Sequence, residues 1–229
     1  MRRTARVVGG GTVPTESLIA KYLDDLASED EVLTAARDAS VELGITPISP
    51  AVGAQLAAAA AATQASAILE VGTGAGVSGL WLLRGAPTAT LTSIDTELDH
   101  QQHARAAFAK AGIPVTRARL ITGKARDVLP RMNESSYDIV LIDADQAGML
   151  EYVEHALALV RVGGSVLVAH ALLGGKVADP AQRDDAVSDL RALLKELSTS
   201  DAVQAAISPV SDGLLQIVRK PEPPAPPQR

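Results

Sequence analysis

The stretch Ala67-Ile-Leu-Glu-Val-Gly-Thr-Gly-Ala-Gly-Val-Ser-Gly79 constrains this chain more than any other, because an apolar run ends in an acid and then breaks into closely spaced glycines. Ile68, Leu69 and Val71 read as a strand buried on both faces, the kind found inside a parallel sheet. Gly72, Gly74 and Gly76 let the backbone turn sharply and let a ligand come close without meeting a Cβ. Val77 to Arg84 then suits a helix whose first N–H groups, unpaired within the helix, point back at the loop. Strand, glycine turn and helix start, in that order, make a nucleotide-binding corner.

Charge decides which nucleotide. Gly74-Ala-Gly-Val-Ser-Gly79 satisfies the dinucleotide pattern G-x-G-x-x-G, which keeps an NAD-dependent oxidoreductase as an alternative. Glu70 argues against it, since a carboxylate one turn away from a pyrophosphate repels it in a low-dielectric cleft. S-adenosylmethionine has no phosphate. It carries an ammonium and a sulfonium that a carboxylate attracts, and a carboxylate of its own that suits the helix N-terminus and the Ser78 hydroxyl. Thr90-Leu-Thr-Ser-Ile-Asp95 reads as the next strand, and Asp95 falls roughly twenty residues past the glycines, where an acid accepts hydrogen bonds from ribose hydroxyls.

With 229 residues and 47% hydrophobic content the chain can bury one sizeable core, so a single domain over 1–229 is expected, with tails at 1–12 and 221–229. A net charge of −6 without a long basic run excludes nucleic acid or an anionic membrane as the principal partner. The absence of cysteine excludes disulfides, thiolate metal sites and thiol nucleophiles. No signal peptide or membrane span is read, and the expected location is cytoplasmic.

Strand and helix patterns alternate beyond the glycine loop, the mark of a parallel sheet covered on both faces. Strands are expected over Ala67–Val71, Ala89–Asp95, Arg119–Thr122, Tyr137–Asp143 and Ser165–His170, followed by an antiparallel hairpin of Val203–Val210 and Leu214–Arg219. Helices are expected from a capping box at Ser28, from Ser49-Pro50 through the alanine run, over Gln101–Ala111 and Leu150–Val160, and from Asp179-Pro180 to Leu197. Periodicity alone gives a doubly wound α/β fold. His100 and His103, three apart on a helix, are expected at the surface, and Trp81 in the core.

Several motifs together resemble the catechol and caffeoyl-CoA O-methyltransferase family: Leu69-Glu-Val-Gly-Thr-Gly-Ala-Gly, Gly123-Lys-Ala, Leu141-Ile-Asp-Ala-Asp, Arg161-Val-Gly-Gly, Gly174-Gly-Lys-Val and the Asp212-Gly-Leu close. The resemblance runs in order over about residues 46–219. It implies a class I methyltransferase fold: a mostly parallel seven-stranded, Rossmann-like sheet with an antiparallel C-terminal hairpin and extra N-terminal helices. It implies S-adenosylmethionine as cofactor, S-adenosylhomocysteine as product, a small hydroxylated acceptor and a homodimer. Carried over by position, Ile48, Glu70, Gly72, Thr73, Gly74, Ser78, Asp95, Ala125, Asp143 and Asp145 are the cofactor-binding set, with Glu70 and Asp143 on the ammonium, Ser78 on the carboxylate and Asp95 on the ribose.

The departures bear on mechanism. Members of this family hold Mg²⁺ with an Asp of the D-A-D segment and an Asp-Asn pair after the fifth strand, oxygen ligands for a hard cation. That pair is Ala169-His170 here, and the family's lysine after D-A-D is Gln146. No Mg²⁺ or Ca²⁺ is therefore expected, and Asp143 and His170 are the candidate catalytic residues, with the His170 imidazole taking the acceptor's proton. A member that binds cofactor without turning over, serving as a binding or regulatory module, is the second reading.

Overall fold

The computed structural model describes residues 15–221. The chain order is α1 (Thr15–Leu26), α2 (Glu31–Glu42), α3 (Pro50–Ala62), β1 (Ala67–Val71), α4 (Val77–Gly85), β2 (Thr90–Asp95), α5 (Leu98–Lys110), β3 (Ala118–Thr122), α6 (Ala125–Val128), β4 (Tyr137–Ile142), α7 (Met149–Leu159), β5 (Val160–Ala169), α8 (Asp185–Thr199), β6 (Val203–Ser208) and β7 (Leu214–Arg219). The seven strands form one sheet in the order β3-β2-β1-β4-β5-β7-β6. Neighbours from β3 to β5 are parallel, while β7 runs antiparallel to both β5 and β6. This is the doubly wound, mostly parallel sheet with a C-terminal hairpin and N-terminal helices. The expected tails at 1–12 and 221–229 fall outside the described residues, Pro221 apart. Among the described residues no helix is long and apolar enough to cross a membrane.

Strand alternation sorts the core into two layers. On one face Ile68, Leu91, Ile139 and Leu167 pack with Leu56 of α3, Leu80 and Trp81 of α4 and Phe108 of α5. On the other, Leu69, Val140, Ile142 and Val166 pack with Tyr152 and Val153 of α7 and Leu190 and Leu193 of α8. The alanine run of α3 lets two helices approach closely. A Cβ on Gly53 would lie 2.3 Å from the Trp81 indole nitrogen, so only glycine admits that ring. The indole N–H donates to Glu29 at 3.0 Å, and Arg37 clasps the same carboxylate while donating to the Ile48 carbonyl at 2.7 Å. This network fixes the segment before α3 over the end of β1.

Asp138 secures the opposite end of the sheet. Its carboxylate accepts from the Ser66 and Ala67 amides, the Ser66 hydroxyl and the Arg161 guanidinium, at 2.6 to 2.9 Å. Burial pushes the Asp138 carboxyl up, but the two amides and Arg161 outweigh burial and hold it at about 2.

Some boundaries differ from the sequence reading. The α2 cap is Asp30, which accepts from the Val32 and Leu33 amides, rather than Ser28. The last helix starts at Asp184, which caps α8, and not at Asp179-Pro180. Arg191 of α8 explains the shift: it donates to the Val177, Lys176 and Gln182 carbonyls and to Asp179, holding that segment as turns. Gly163-Gly164, ahead of the strand expected over Ser165–His170, lies within β5, where pairing with β4 jumps from Tyr137↔Val160 to Ile139↔Ser165.

Candidate functional site

Strand order reverses between β1 and β4, and the crevice beyond their carboxyl ends is where an open α/β sheet binds ligands. Here the crevice is a cleft of about 570 Å³. Its floor needs glycine. Gly72 has φ +96, and a Cβ there would sit 1.8 Å from the Asp143 carbonyl oxygen. The Gly72 amide donates to Ile94 and the Asp143 amide to Val71, each at 2.8 Å, so β1, β2 and β4 are locked together at the point where they end.

The structure brings Ile48, Gly72, Thr73, Gly74, Ser78, Asp95, Ala125, Asp143, Asp145 and His170 together around this cleft, with Thr46, His100, Gln146, Tyr152 and Asp212 beside them. It does not bring Glu70 there. Glu70 shares its face of β1 with Ile68, beneath the first turn of α4, and is wholly buried. The Ser78 hydroxyl donates to one of its oxygens at 2.7 Å, and Ser93 lies 2.5 Å from the other, with Thr73 a further 2.7 Å along. Burial raises the Glu70 carboxyl to about 8, further than the two serine hydrogen bonds pull it back, and nearby Asp143 and Asp95 add to the rise. At neutral pH Glu70 is a protonated acid inside a hydroxyl chain.

Asp95 ends β2 with one carboxylate oxygen accepting from the Gly74 amide and the other from the Glu97 amide, both at 2.9 Å. The glycine loop is thus tethered to the residue placed for a ribose. His100 of α5, expected at the surface, instead lines the cleft, its Nδ1 3.5 Å from Asp95. Its place five residues after Asp95, in the first turn of α5, was the available signal. Asp145 caps the turn before α7, accepting from the Gly148 amide at 2.8 Å and the Tyr152 hydroxyl at 3.0 Å. That bonding leaves Asp145 a structural task on the cleft wall.

Asp143 ends β4, and His170 follows β5 with φ +56, a left-handed turn that swings its ring back over the cleft. His170 Nε2 is 3.6 Å from Asp143 and Nδ1 is 3.3 Å from Asp212. Asp212 was quoted from the sequence only within a turn motif; the antiparallel return of β7 beside β5 is what delivers it. Burial raises the Asp143 carboxyl to about 6, with the His170 charge working against the rise. The two carboxylates lie at opposite ends of the imidazole, so they diverge and cannot converge on one ion. Ala169 adds no ligand, and among the described residues no group of three or more His, Asp or Glu is disposed to hold a metal. These residues do not fit the family's Mg²⁺ site.

The backbone of Gly72 to Gly74, the acids at the ends of β2 and β4 and the Ala125 turn do fit a nucleoside bearing an ammonium. Comparison with known proteins agrees with this geometry. A family model described as O-methyltransferase matches residues 24–220. An O-methyltransferase-like protein of Mycobacterium marinum is 42% identical over 203 residues, spanning 88% of this chain and 91% of its own. Among solved structures, a Corynebacterium glutamicum protein superposes with a TM-score of 0.84 at 27% identity, over 92% of this chain and 100% of its own. TomG of Streptomyces achromogenes, an O-methyltransferase of tomaymycin synthesis solved with S-adenosylmethionine, superposes at 0.81 with 29% identity, over 92% and 100%. By the extent of the family match and the identity to its relatives, this chain belongs to the O-methyltransferase family.

Proposed function

We propose that the chain transfers a methyl group from S-adenosylmethionine to a hydroxyl of a small molecule, without a divalent cation, and releases S-adenosylhomocysteine. The observation that carries this is the placing of Asp95 and Asp143 at the ends of β2 and β4, the two strands that flank β1 and its glycine loop, acids where a ribose and an ammonium are to be held. When bound, the cofactor supplies an electrophilic methyl group on a cationic sulfur. Asp143 faces the ammonium, Asp95 the ribose hydroxyls, Ile48 and Ala125 the flanks of the nucleoside, and the Gly72 to Gly74 backbone the methionine portion. Glu70 acts from below by holding Ser78 and Ser93 in place.

His170 takes the acceptor's proton through Nε2 as the new oxygen–carbon bond forms. At 3.6 Å from Asp143 that nitrogen lies beyond hydrogen-bond distance and remains available on the cleft side. Alignment of acceptor and methyl group, with water kept out, supplies the rest of the acceleration. The single domain, the cytoplasmic location and the homodimer belong to this reading too. A mass measurement at micromolar concentration gives twice the chain mass if the dimer is correct.

Calorimetric titration tests the cofactor. S-adenosylmethionine and S-adenosylhomocysteine bind and NAD does not, and Asp95→Ala weakens the first two by roughly 1 to 3 kcal/mol. Tight NAD binding with no response to S-adenosylhomocysteine would sink the proposal. An acceptor screen run with and without chelator tests the chemistry: turnover survives chelation and drops by roughly 10² in His170→Ala. Cofactor binding with no turnover across the screen gives the binding-module reading instead.

A further inference from the structure

The Asp212 carboxylate meets the His170 ring from the side away from Asp143. Oδ2 lies 3.3 Å from Nδ1, and Oδ1 accepts from the Gly174 amide at 2.6 Å. A carboxylate oxygen can only accept, so the hydrogen between Asp212 and the ring belongs to Nδ1. The neutral imidazole then carries its lone pair on Nε2.

The surrounding backbone makes this setting more than a chance pairing. His170 and Leu173 both hold left-handed conformations, at φ +56 and +51, and Gly174 and Gly175 follow at +65 and +82. A run of such residues stays ordered only where its neighbours over-determine it. The Asp212 turn does this: its carboxylate binds Gly174, its carbonyl accepts from the Leu172 amide at 2.8 Å, and the Gly213 carbonyl accepts from Ala171 at 3.2 Å. A Cβ on Gly213 would lie 2.5 Å from Leu172, so the turn is seated directly on the segment.

We propose that Asp212 is a positioning residue for methyl transfer, fixing His170 in the tautomer that presents Nε2 to the acceptor hydroxyl and coupling that setting to the 170–175 backbone through Gly174. The inference rests on His170 being the base. In the step itself the acceptor oxygen–carbon bond forms while the sulfur–methyl bond breaks. The bonding pair stays on sulfur, which becomes neutral, and the hydroxyl proton passes to Nε2. The resulting imidazolium lies between Asp212 and Asp143, the charged side chains recorded against the ring.

The test uses the full chain with ¹⁵N-labelled imidazoles and no ligand. The protein has 4 histidines, and His170→Gln assigns the signal of interest. The wild-type His170 ring shows the Nδ1–H tautomer. Asp212→Asn keeps one acceptor oxygen where the Gly174 amide and Nδ1–H need two, and loses the charge, so the Nδ1–H tautomer is no longer held alone and the ring's proton affinity falls about tenfold. Asp212→Ala loses the single tautomer altogether. Unchanged tautomer and titration midpoint in both variants would overturn the assignment of Asp212, whatever happens to turnover.

Turnover of the first hydroxyl acceptor found in the screen separates the two ideas. With His170 as base, the acid limb of the kcat profile moves down by about one pH unit in Asp212→Asn, with KM for S-adenosylmethionine unchanged. Normal turnover in His170→Ala, alongside the expected change in the ring signals, would refute the base and with it the catalytic meaning of Asp212, while leaving the tether as described.

Discussion

Replacing Glu70 by Gln isolates the cost of placing an acid where this fold places it. The carboxyl is wholly buried and raised to about 8, against 4.5 for an ordinary glutamate. Between those values the unfolded chain has lost the proton and the folded chain keeps it, so folding takes up a proton and stability falls as pH rises. One bound proton gives a slope of about 1.4 kcal/mol per pH unit, or about 3 kcal/mol between pH 5 and pH 7. The loss is complete above about 8, where both states are ionised. Glutamine imitates the protonated acid: its oxygen accepts from Ser78, its amide donates to Ser93, and Ser93 still reaches Thr73. Urea unfolding of both proteins at pH 5, 6, 7 and 8 reads the difference directly. E70Q gains on the wild type by about 1.4 kcal/mol for each unit of pH, with little change at pH 5. Parallel stability profiles, or a variant that loses ground as pH rises, would show that Glu70 is ionised in the folded protein and that the hydroxyl chain is misread.

Two further outcomes follow from other parts of the structure. Gly72→Ala forces a Cβ to within 1.8 Å of the Asp143 carbonyl at φ +96, so the strand ends must separate; cofactor binding disappears in calorimetry, and thermal unfolding shifts downward by several degrees. Asp138→Ala orphans the Ser66 and Ala67 amides and Arg161, costing about 2 to 4 kcal/mol in chemical denaturation. Because the Asp138 carboxyl is held at about 2 against 3.8 unfolded, the wild type keeps its advantage above about pH 4 and loses it as pH falls toward 2; a gap unchanged at pH 3 would refute the staple.

The strands were legible because runs such as Ile139-Val-Leu-Ile142 are buried on both faces and admit little else. Helix starts were less so. Ser28 and Asp30 both offer a capping oxygen, and only the packing of Leu33 and Ala36 against the core selects the second. The first helix, α1, was missed although Leu18, Ile19, Tyr22 and Leu26 recur at helical spacing, and in the structure these four are exposed. At the site, a residue's strand-end position was readable but its facing was not. Alternation puts Glu70 on one face or the other of β1, and the sequence does not say which face meets the ligand. Asp212 was hidden for a different reason, since its partner stands 42 residues earlier and they meet only through the insertion of β7 beside β5.

That insertion also sets when the protein can become itself. The ribosome makes β7 last among the strands, yet β7 lies inside the sheet, between β5 and β6, which were made before it. Until Leu214 to Arg219 emerge, the inner edge of β5 carries open backbone donors and acceptors along Ser165 to Ala169, a row of buried valines and leucine in the finished molecule. A nascent chain is therefore sticky until β7 arrives, and a chain that stops before Leu214 yields aggregate rather than a weakened enzyme. The turn that leads into the same late strand meets His170, so the cell obtains a competent site only from a chain that has been read through β7.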